Sequence, residues 1–286
     1  MISDSFNLLE LYPLLPKMDQ EPPMLDLYCR SSTESNATKR YPAMLILPGG
    51  GYRFCSDREG EPIALALLAR GIQCFVLRYR TNPARFPNPL NETAAAVHFI
   101  RTHAEEYQVD PNFIGVMGFS AGGHLTGTYC THWHEGDFAK AIGVEDNELL
   151  KPNGMGLCYA VLRKDLMAYG LCMQNLLEEF NEEDNDYMSC ADHVTEYAPP
   201  AFFFHTTADQ LVDVRNPLVM AEALSLHNIP YEMHIYPEGG HGLALSNWLT
   251  AGNDPNQQPA GYINAWIPAL AAWWLRIAGL GFAEQR

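Results

Sequence analysis

Short apolar runs that alternate with helical patterns limit the fold of this chain more than any other feature. Runs typical of buried strands lie at 44–47, 72–77, 113–117, 155–162, 201–205 and 231–236. Helical patterns occupy 62–70, 91–107, 121–131 and 216–227, and an amphipathic helix is predicted at 263–277. Near-continuous apolar runs suit strands that are covered on both faces, and alternation with helices favours parallel strands joined by crossovers. The sequence therefore predicts an α/β fold with a doubly wound, mostly parallel sheet.

The length of the chain favours a single domain over residues 1–286, because α/β folds commonly hold this many residues around one core. The segment 163–198 departs from the alternation, since it spends some three dozen residues where about a dozen suffice for a crossover. It includes the acidic run 178–184. Two interpretations stay open: a small cap insertion over the site, or a surface excursion whose acidic face is solvated.

The net charge restricts the partners of the protein. The chain has 34 acidic and 18 basic residues, a formal net charge of −16, so its average face repels nucleic acid and anionic membranes. The N-terminal stretch carries Asp4 and Glu10 where a signal peptide would be positive, and no apolar run reaches the roughly 18 residues of a membrane span. We expect a cytoplasmic protein that binds neither nucleic acid nor membrane. The sequence leaves the oligomeric state open and allows a homo-oligomer.

The seven cysteines are scattered and include no C-x-x-C pair. This spacing suits neither a disulfide framework nor a zinc site, so we expect buried free thiols. His132 and His134 flank Trp133, but no further ligand follows at metal-site spacing. No metal site is predicted.

The pentapeptide Gly118-Phe119-Ser120-Ala121-Gly122 lies between a predicted strand and a predicted helix. A nucleophilic serine needs this setting, because it must stand on a tight turn whose small neighbours let the backbone bend. The turn also puts Ser120 at a helix N-terminus, where free N–H groups favour developing negative charge. We therefore predict Ser120 as a nucleophile, the alternative being a turn that matches the motif by chance.

A glycine-rich loop, Pro48-Gly49-Gly50-Gly51-Tyr52, follows the predicted strand at 44–47. Glycines let backbone N–H groups approach an acyl oxygen without a Cβ in the way. A flexible turn would account for one glycine but not for three. We assign the N–H groups of Gly50 and Gly51, together with that of Ala121, to an oxyanion hole.

A serine hydroxyl is a poor nucleophile until a base removes its proton, and histidine is the usual base. Among ten histidines, His241 stands out because it lies in a glycine-rich loop just after the last predicted strand. His98 and His103 lie on a predicted helix, where packing or exposure is the simpler role. His124 lies one turn into the helix after Ser120 and is expected to pack.

An acid must hold the histidine tautomer and stabilise the imidazolium. Asp209 follows the predicted strand at 201–205, and Asp213 comes four residues later in the same loop. We predict Asp209 as the acid, because it is nearer the strand end. Asp213 is the alternative.

Taken together, these residues resemble a known family, the small esterases and lipases of the α/β-hydrolase superfamily, close to its acetyl-xylan esterase-like members. The similarity covers roughly residues 40–245, and the order Ser, Asp, His is that of the family. The residues that carry it are Leu47-Pro48-Gly49-Gly50-Gly51-Tyr52, Tyr79-Arg80, Asp110-Pro111, Gly118-Phe119-Ser120-Ala121-Gly122-Gly123-His124, Asp209 and Gly240-His241-Gly242.

This resemblance implies hydrolysis of carboxylic esters through an acyl-enzyme, without a metal or an organic cofactor. It points to a small acyl group, acetyl in particular, on a carbohydrate. Relatives often have histidine where this chain has Pro48, and proline cannot donate the hydrogen bond that braces the loop. The departure weakens a hormone-sensitive-lipase assignment more than it weakens catalysis, because the oxyanion donors are backbone groups.

Two other functions are weighed against the esterase. Relatives that cleave oligopeptides as serine peptidases carry an N-terminal propeller or a lengthy cap, and no propeller sequence precedes these motifs. A catalytically silent binding member would keep the fold alone, yet all three triad positions hold competent residues.

The 163–198 segment also allows a prediction about acyl length. If it covers Ser120, its apolar side chains would form a wall that shortens the acyl pocket, so we expect acetyl and propionyl esters to react faster than octanoyl ones. The residues of this wall would be Met167, Tyr169, Leu171, Met173, Leu176 and Leu177.

Overall fold

The computed structural model describes residues 1–135, 137–177, 181–253, 257–258 and 260–280. Its strands are β1 (Ile2–Asn7), β2 (Met24–Cys29), β3 (Tyr41–Leu47), β4 (Gln73–Arg78), β5 (Val109–Phe119), β6 (Gly154–Cys158), β7 (Ala201–Thr206) and β8 (Tyr231–Tyr236). They form one sheet in the order β1-β2-β4-β3-β5-β6-β7-β8. All neighbouring pairs from β4 to β8 are parallel, whereas β1 and β2 join the edge of the sheet as antiparallel strands.

Helices occupy the connections between the strands and cover both faces of the sheet. Their bounds are α1 (Leu8–Leu11), α2 (Glu61–Leu68), α3 (Asn88–Thr102), α4 (Ala121–His132), α5 (Phe138–Ile142), α6 (Tyr169–Leu176), α7 (Glu182–Tyr187), α8 (Arg215–Leu226) and α9 (Trp266–Ile277). Short 3-10 turns lie at Asp57–Glu59, Asn147–Leu150, Cys190–His193 and Ile263–Ala265. The predicted α/β class with a mostly parallel sheet is confirmed.

Several predicted bounds are wrong by a few residues, each for a local reason. β6 ends at Cys158 rather than at 162, because Tyr159 leaves the strand with a φ of 36°. The helix predicted at 91–107 spans Asn88–Thr102 instead, and it begins where a proline occupies its first turn. The helix predicted at 263–277 opens with a 3-10 turn before α9.

The antiparallel strands β1 and β2 were not predicted. Both are short, β1 is largely exposed, and β2 alternates between buried and half-buried residues. Strands with one open face carry polar residues such as Asp4 and Asp26, so they lack the continuous apolar run of a strand covered on both sides.

Alternate residues of the central strands supply two cores. Leu45 and Leu47 of β3 belong to the core under α3, α4 and α8. Met44 and Ile46 point to the opposite face, where α2 and the tryptophans of α9 pack. This alternation follows from the two-residue period of a strand.

The architecture brings four loops to one edge of the sheet. The strands β3, β5, β7 and β8 are parallel, so the loops that follow their carboxyl ends meet there. These loops begin after Leu47, Phe119, Thr206 and Tyr236. Among the described residues, no helix has both the length and the apolar character needed to cross a membrane.

Candidate active site

Ser120 stands on the turn between β5 and α4 in a strained conformation, with φ 53° and ψ −116°. Backbone atoms approach this turn so closely that two of its positions have no room for a Cβ atom. A Cβ on Gly118 would lie 2.1 Å from the carbonyl oxygen of Gly122, and one on Gly122 would lie 2.1 Å from the carbonyl oxygen of Leu47. The small residues of the motif are therefore needed to hold the serine out over the sheet edge.

His241 links Ser120 to Asp209. Its Nε2 lies 2.8 Å from Ser120 Oγ, and its Nδ1 lies 2.7 Å from Asp209 Oδ2. Since a carboxylate can only accept, Nδ1–H donates to Asp209 and Nε2 is left to accept the serine proton. The histidine side chain is 16% exposed and that of the aspartate 1%. The Asp209 carboxylate is therefore shielded from solvent, whereas Ser120 and His241 line the cavity.

The surroundings of Asp209 favour its charged form. Its second oxygen, Oδ1, accepts hydrogen bonds of 2.9 Å from the N–H groups of Leu211 and Val212. Burial alone would raise the pKa of Asp209, but the hydrogen bonds from His241, Val212 and Leu211 outweigh it and hold the pKa below its ordinary value. The carboxylate therefore stays ionised beside the imidazole.

Asp213, the alternative acid, lies outside this relay. Its carboxylate pairs with Arg215 at 2.6 Å and accepts the N–H of the same residue. The Arg215 guanidinium lowers the pKa of Asp213. This aspartate thus binds Arg215, the first residue of α8, rather than orienting the imidazole.

The loop after β3 presents Gly50 and Gly51 to the cavity that contains Ser120. Gly50 has a φ of 137° and Gly51 a φ of 63°, and a Cβ on Gly50 would lie 2.0 Å from the carbonyl oxygen of Phe54. Within the described part of the chain, no hydrogen bond takes up the N–H of either glycine. Ala121 is the first residue of α4, and an N–H at that position has no acceptor inside the helix.

Two contacts that the sequence did not reveal brace this loop. The Tyr79 hydroxyl donates to the carbonyl of Pro48 at 2.7 Å, so the proline is held through its acceptor although it lacks a donor. The Tyr52 hydroxyl lies 2.7 Å from Nδ1 of His124, whose Nε2 is 2.9 Å from the carbonyl of Met188. His124 is fully buried and packs, as its place in α4 predicted.

The cavity over Ser120 has a volume of about 850 Å³. Five residues of the 163–198 segment line it: Ala168, Leu171, Cys172, Gln174 and Asn175. Of the six apolar residues expected to form a wall, only Leu171 does so; Met167 is half exposed, and Tyr169, Met173, Leu176 and Leu177 are buried in the core. The helical period of α6 turns Tyr169, Met173 and Leu176 away from the cavity, and Leu177, the residue after the helix, is buried in the same core.

Helix α6 is attached to the loops around the cavity. Asn175 Nδ2 donates to the carbonyl of Gly51 at 3.0 Å, and Arg85 donates to the carbonyls of Gln174 and Leu177 at 2.8 and 2.9 Å. The acidic run behaves differently: residues 178–180 lie outside the described residues, and α7 buries none of its side chains.

The chain is similar to known proteins of one family. The BD-FAE family model matches residues 25–151. An acetyl ester-xyloside bifunctional hydrolase from Caldicellulosiruptor lactoaceticus is 32% identical, with a TM-score of 0.83 over 97% of both chains. MGS-M1, an alpha/beta hydrolase enzyme from a Medee basin deep-sea metagenome library, is 33% identical, with a TM-score of 0.74 over 98% of this chain and 99% of that one. The chain belongs to the esterases of the α/β-hydrolase superfamily.

A curated relative of this α/β-hydrolase is an acetylxylan esterase from Xylanibacter ruminicola. The two are 27% identical over 84% of this chain and 48% of that protein. The chain spans about half or less of the length of this relative and of two others, an endo-1,4-beta-xylanase B from Butyrivibrio fibrisolvens and a probable carboxylic ester hydrolase from Mycobacterium tuberculosis. The resemblance to the superfamily's esterases seen in the sequence motifs is confirmed.

Proposed function

We propose that this α/β-hydrolase is a serine esterase that removes short acyl groups, acetyl above all, from carbohydrates. The observation that carries the proposal is the relay from Ser120 through His241 to Asp209, with hydrogen-bond distances of 2.8 and 2.7 Å. A nucleophile, a base and an orienting acid at these separations are the parts that acyl transfer needs. A silent binding member would need none of them.

The reaction follows from the geometry in two steps. Ser120 Oγ attacks the ester carbonyl while His241 Nε2 takes its proton, and the N–H groups of Gly50, Gly51 and Ala121 stabilise the oxyanion. The C–O bond to the alcohol then breaks, and the alcohol leaves with the proton from His241. Water attacks the acyl-enzyme by the same route, which releases the acid and restores the serine.

The lining of the cavity supports a small acyl group and a polar alcohol. Val161, Cys172 and Val212 are buried apolar residues of the lining. The lining also includes polar side chains that can hydrogen-bond to sugar hydroxyls: Arg53, Asp57, Arg58, Gln174, Asn175 and Gln257. The names of the acetylxylan esterase and of the acetyl ester-xyloside hydrolase agree with this chemistry.

The 163–198 segment serves, in this proposal, as a small cap that closes one side of the cavity while the chain acts as one domain. The single eight-stranded sheet and the bonds from α6 to neighbouring loops support this. A wall close to the nucleophile shortens the acyl pocket, so acetyl esters should be preferred over long ones.

The test combines labelling with a substrate panel. A fluorophosphonate probe should modify the wild type once, at Ser120, and leave Ser120→Ala unmodified. Hydrolysis rates for p-nitrophenyl esters from acetyl to dodecanoyl, acetylated xylo-oligosaccharides and a peptide amide then define the substrate. Labelling at another serine, or turnover of the peptide above the esters, would contradict the proposal.

A further inference from the structure

Glu59 is a buried carboxylate between two loops of the active site. It ends the 3-10 turn Asp57–Glu59, ten residues after Gly49 of the oxyanion loop, and it is 4% exposed. Within the described part of the chain it forms no ion pair. A carboxylate in this setting costs stability, because it loses water without gaining a cationic partner.

Each carboxylate oxygen holds a different loop. Oε2 accepts the N–H of Gly49 at 2.8 Å, the residue that precedes the predicted oxyanion donors. Oε1 accepts the hydroxyl of Tyr159 at 2.7 Å, and the same hydroxyl accepts the N–H of Ala244 at 3.0 Å. Ala244 lies three residues after His241, so Glu59 and Tyr159 together connect the oxyanion loop to the histidine loop.

The pattern of donors favours a negative charge on Glu59. The Ala244 N–H already points at the Tyr159 oxygen, so the tyrosine proton is directed to Glu59. Donors at both oxygens favour the anionic form. Burial nevertheless holds the pKa of Glu59 above its ordinary value, and the hydrogen bonds from Tyr159 and Gly49 and the charges of His241 and Arg58 offset only part of that shift.

Tyr159 also contacts the base directly. Its ring lies edge-on to the imidazole of His241, with centroids 5.1 Å apart and an angle of 70° between the planes. The charged and titratable groups around His241 are therefore Asp209 by hydrogen bond, Tyr159 by ring contact, and Glu59 and His205 by charge. Arg58 is also close, because its guanidinium donates to the carbonyl of Gly242 at 2.9 Å.

We propose that Glu59 is a positioning residue, which sets the oxyanion loop and His241 relative to each other through Gly49 and Tyr159. The inference rests on the proposed esterase function. Because its two oxygens bind groups from different parts of the chain, the carboxylate fixes a distance that neither loop determines alone. Its negative charge also stabilises the imidazolium that forms when His241 takes the serine proton.

The test is Glu59→Gln, assayed with p-nitrophenyl acetate and normalised to the serines that react with a fluorophosphonate. The amide nitrogen cannot accept a hydrogen bond, so either the Gly49 N–H or the Tyr159 hydroxyl loses its acceptor. We expect kcat to fall about 10- to 100-fold with KM changed less than about threefold, as for a misplaced oxyanion donor. The acid limb of kcat/KM should move to lower pH, because the imidazolium loses a stabilising charge.

Tyr159→Phe provides a second variant, which keeps the carboxylate and its bond to Gly49 but removes the hydroxyl that links Glu59 to Ala244. Its matched control is Tyr129→Phe, which removes a buried hydroxyl that donates to Leu150 elsewhere in the core. We expect Tyr159→Phe to lower kcat at least about fivefold and Tyr129→Phe to leave kcat per reactive serine unchanged. In the double variant of Glu59 and Tyr159, the losses should be less than multiplicative.

A Glu59→Gln protein with wild-type kcat per reactive serine and an unmoved acid limb overturns the inference and leaves the esterase proposal intact. If Glu59→Gln does not fold, Tyr159→Phe decides, and wild-type kcat in that variant has the same meaning. A wild type that neither hydrolyses esters nor reacts with the phosphonate overturns both.

Discussion

The buried His124 should make this protein lose stability in mild acid. Its two ring nitrogens bind the Tyr52 hydroxyl and the Met188 carbonyl, and the side chain is fully excluded from solvent. Burial lowers the pKa of His124 to about 4, although the hydrogen bond to Met188 acts in the opposite direction. The imidazole is therefore neutral in the folded protein, with Nε2–H donating to Met188 and Nδ1 accepting from Tyr52.

The size of the effect follows from the difference between the folded and unfolded states. In the unfolded chain the histidine titrates near its ordinary pKa of about 6.5. The pKa of His124 is lower in the folded state than in the unfolded state. The stability that its neutral form contributes is therefore fully present above the unfolded pKa and is lost as the pH falls toward about 4. A pH of about 5 lies roughly 1.5 units below the pKa of the unfolded histidine. Protonation therefore stabilises the unfolded state by about 2 kcal/mol, and the free energy of unfolding falls by that amount.

The assay compares urea unfolding of the wild type and His124→Gln at about pH 7.5 and about pH 5. Glutamine keeps a donor for Met188 and cannot titrate, so the variant starts less stable but lacks this acid loss. The difference in unfolding free energy between the two proteins should shrink by about 2 kcal/mol on acidification. His132, also buried and also with a pKa lowered to about 4 by burial, is present in both proteins and cancels.

A difference that stays constant between the two pH values would refute this reasoning. It would mean that His124 titrates alike in the folded and unfolded chains, and that its burial against Tyr52 and Met188 does not keep it neutral. An equal slope of the urea dependence in both proteins is the control for a shared unfolding transition.

Three further predictions concern activity. Asp209→Asn should lower kcat by about 1,000-fold or more because the imidazole loses its orienting acceptor, whereas Asp213→Asn should stay within about threefold; steady-state kinetics of the two variants decide, and the reverse order would move the acid to Asp213. Gly50→Ala should lower kcat by at least about tenfold, because its Cβ would lie 2.0 Å from the Phe54 carbonyl; a folded variant with wild-type kcat would exclude this loop from oxyanion binding. Val161→Ala enlarges the buried apolar lining and should raise the kcat/KM ratio of butyryl to acetyl esters about tenfold, while an unchanged ratio would put the acyl group elsewhere.

The residues nearest the proposed chemistry were predictable because local backbone geometry requires them. A serine on a strand-to-helix turn needs small neighbours, and Gly118 and Gly122 leave no room for a Cβ. The loops of Asp209 and His241 each follow an apolar run that could be recognised as a strand. Parallel pairing then brings their carboxyl ends together, and the structure has these side chains within hydrogen-bond distance.

The supporting contacts could not be predicted, because they join positions far apart in the sequence. Glu59 and Tyr159 are separated by 100 residues, and Asn175 and Gly51 by 124. No local pattern marks a glutamate that lies in a polar turn as buried. The strands β1 and β2 escaped notice for a related reason, since only the pairing of β2 with β4, and of β1 with β2, reveals them as part of the sheet.

If Gly51 serves in the proposed oxyanion hole, the hydrogen bond from Asn175 to its carbonyl links the width of the pocket thermodynamically to the geometry of that hole. If helix α6 moved away from the cavity, the hydrogen bond from Asn175 to the Gly51 carbonyl would break. Among the described residues, this is the one side-chain hydrogen bond to the peptide between Gly51 and Tyr52. A substrate that forces the helix outward therefore disturbs the charge-stabilising groups at the same time. By reciprocity, occupation of the oxyanion site favours the closed helix. Bulky acyl groups should thus be penalised in kcat as well as in KM, a form of size selection that a rigid wall alone would not produce.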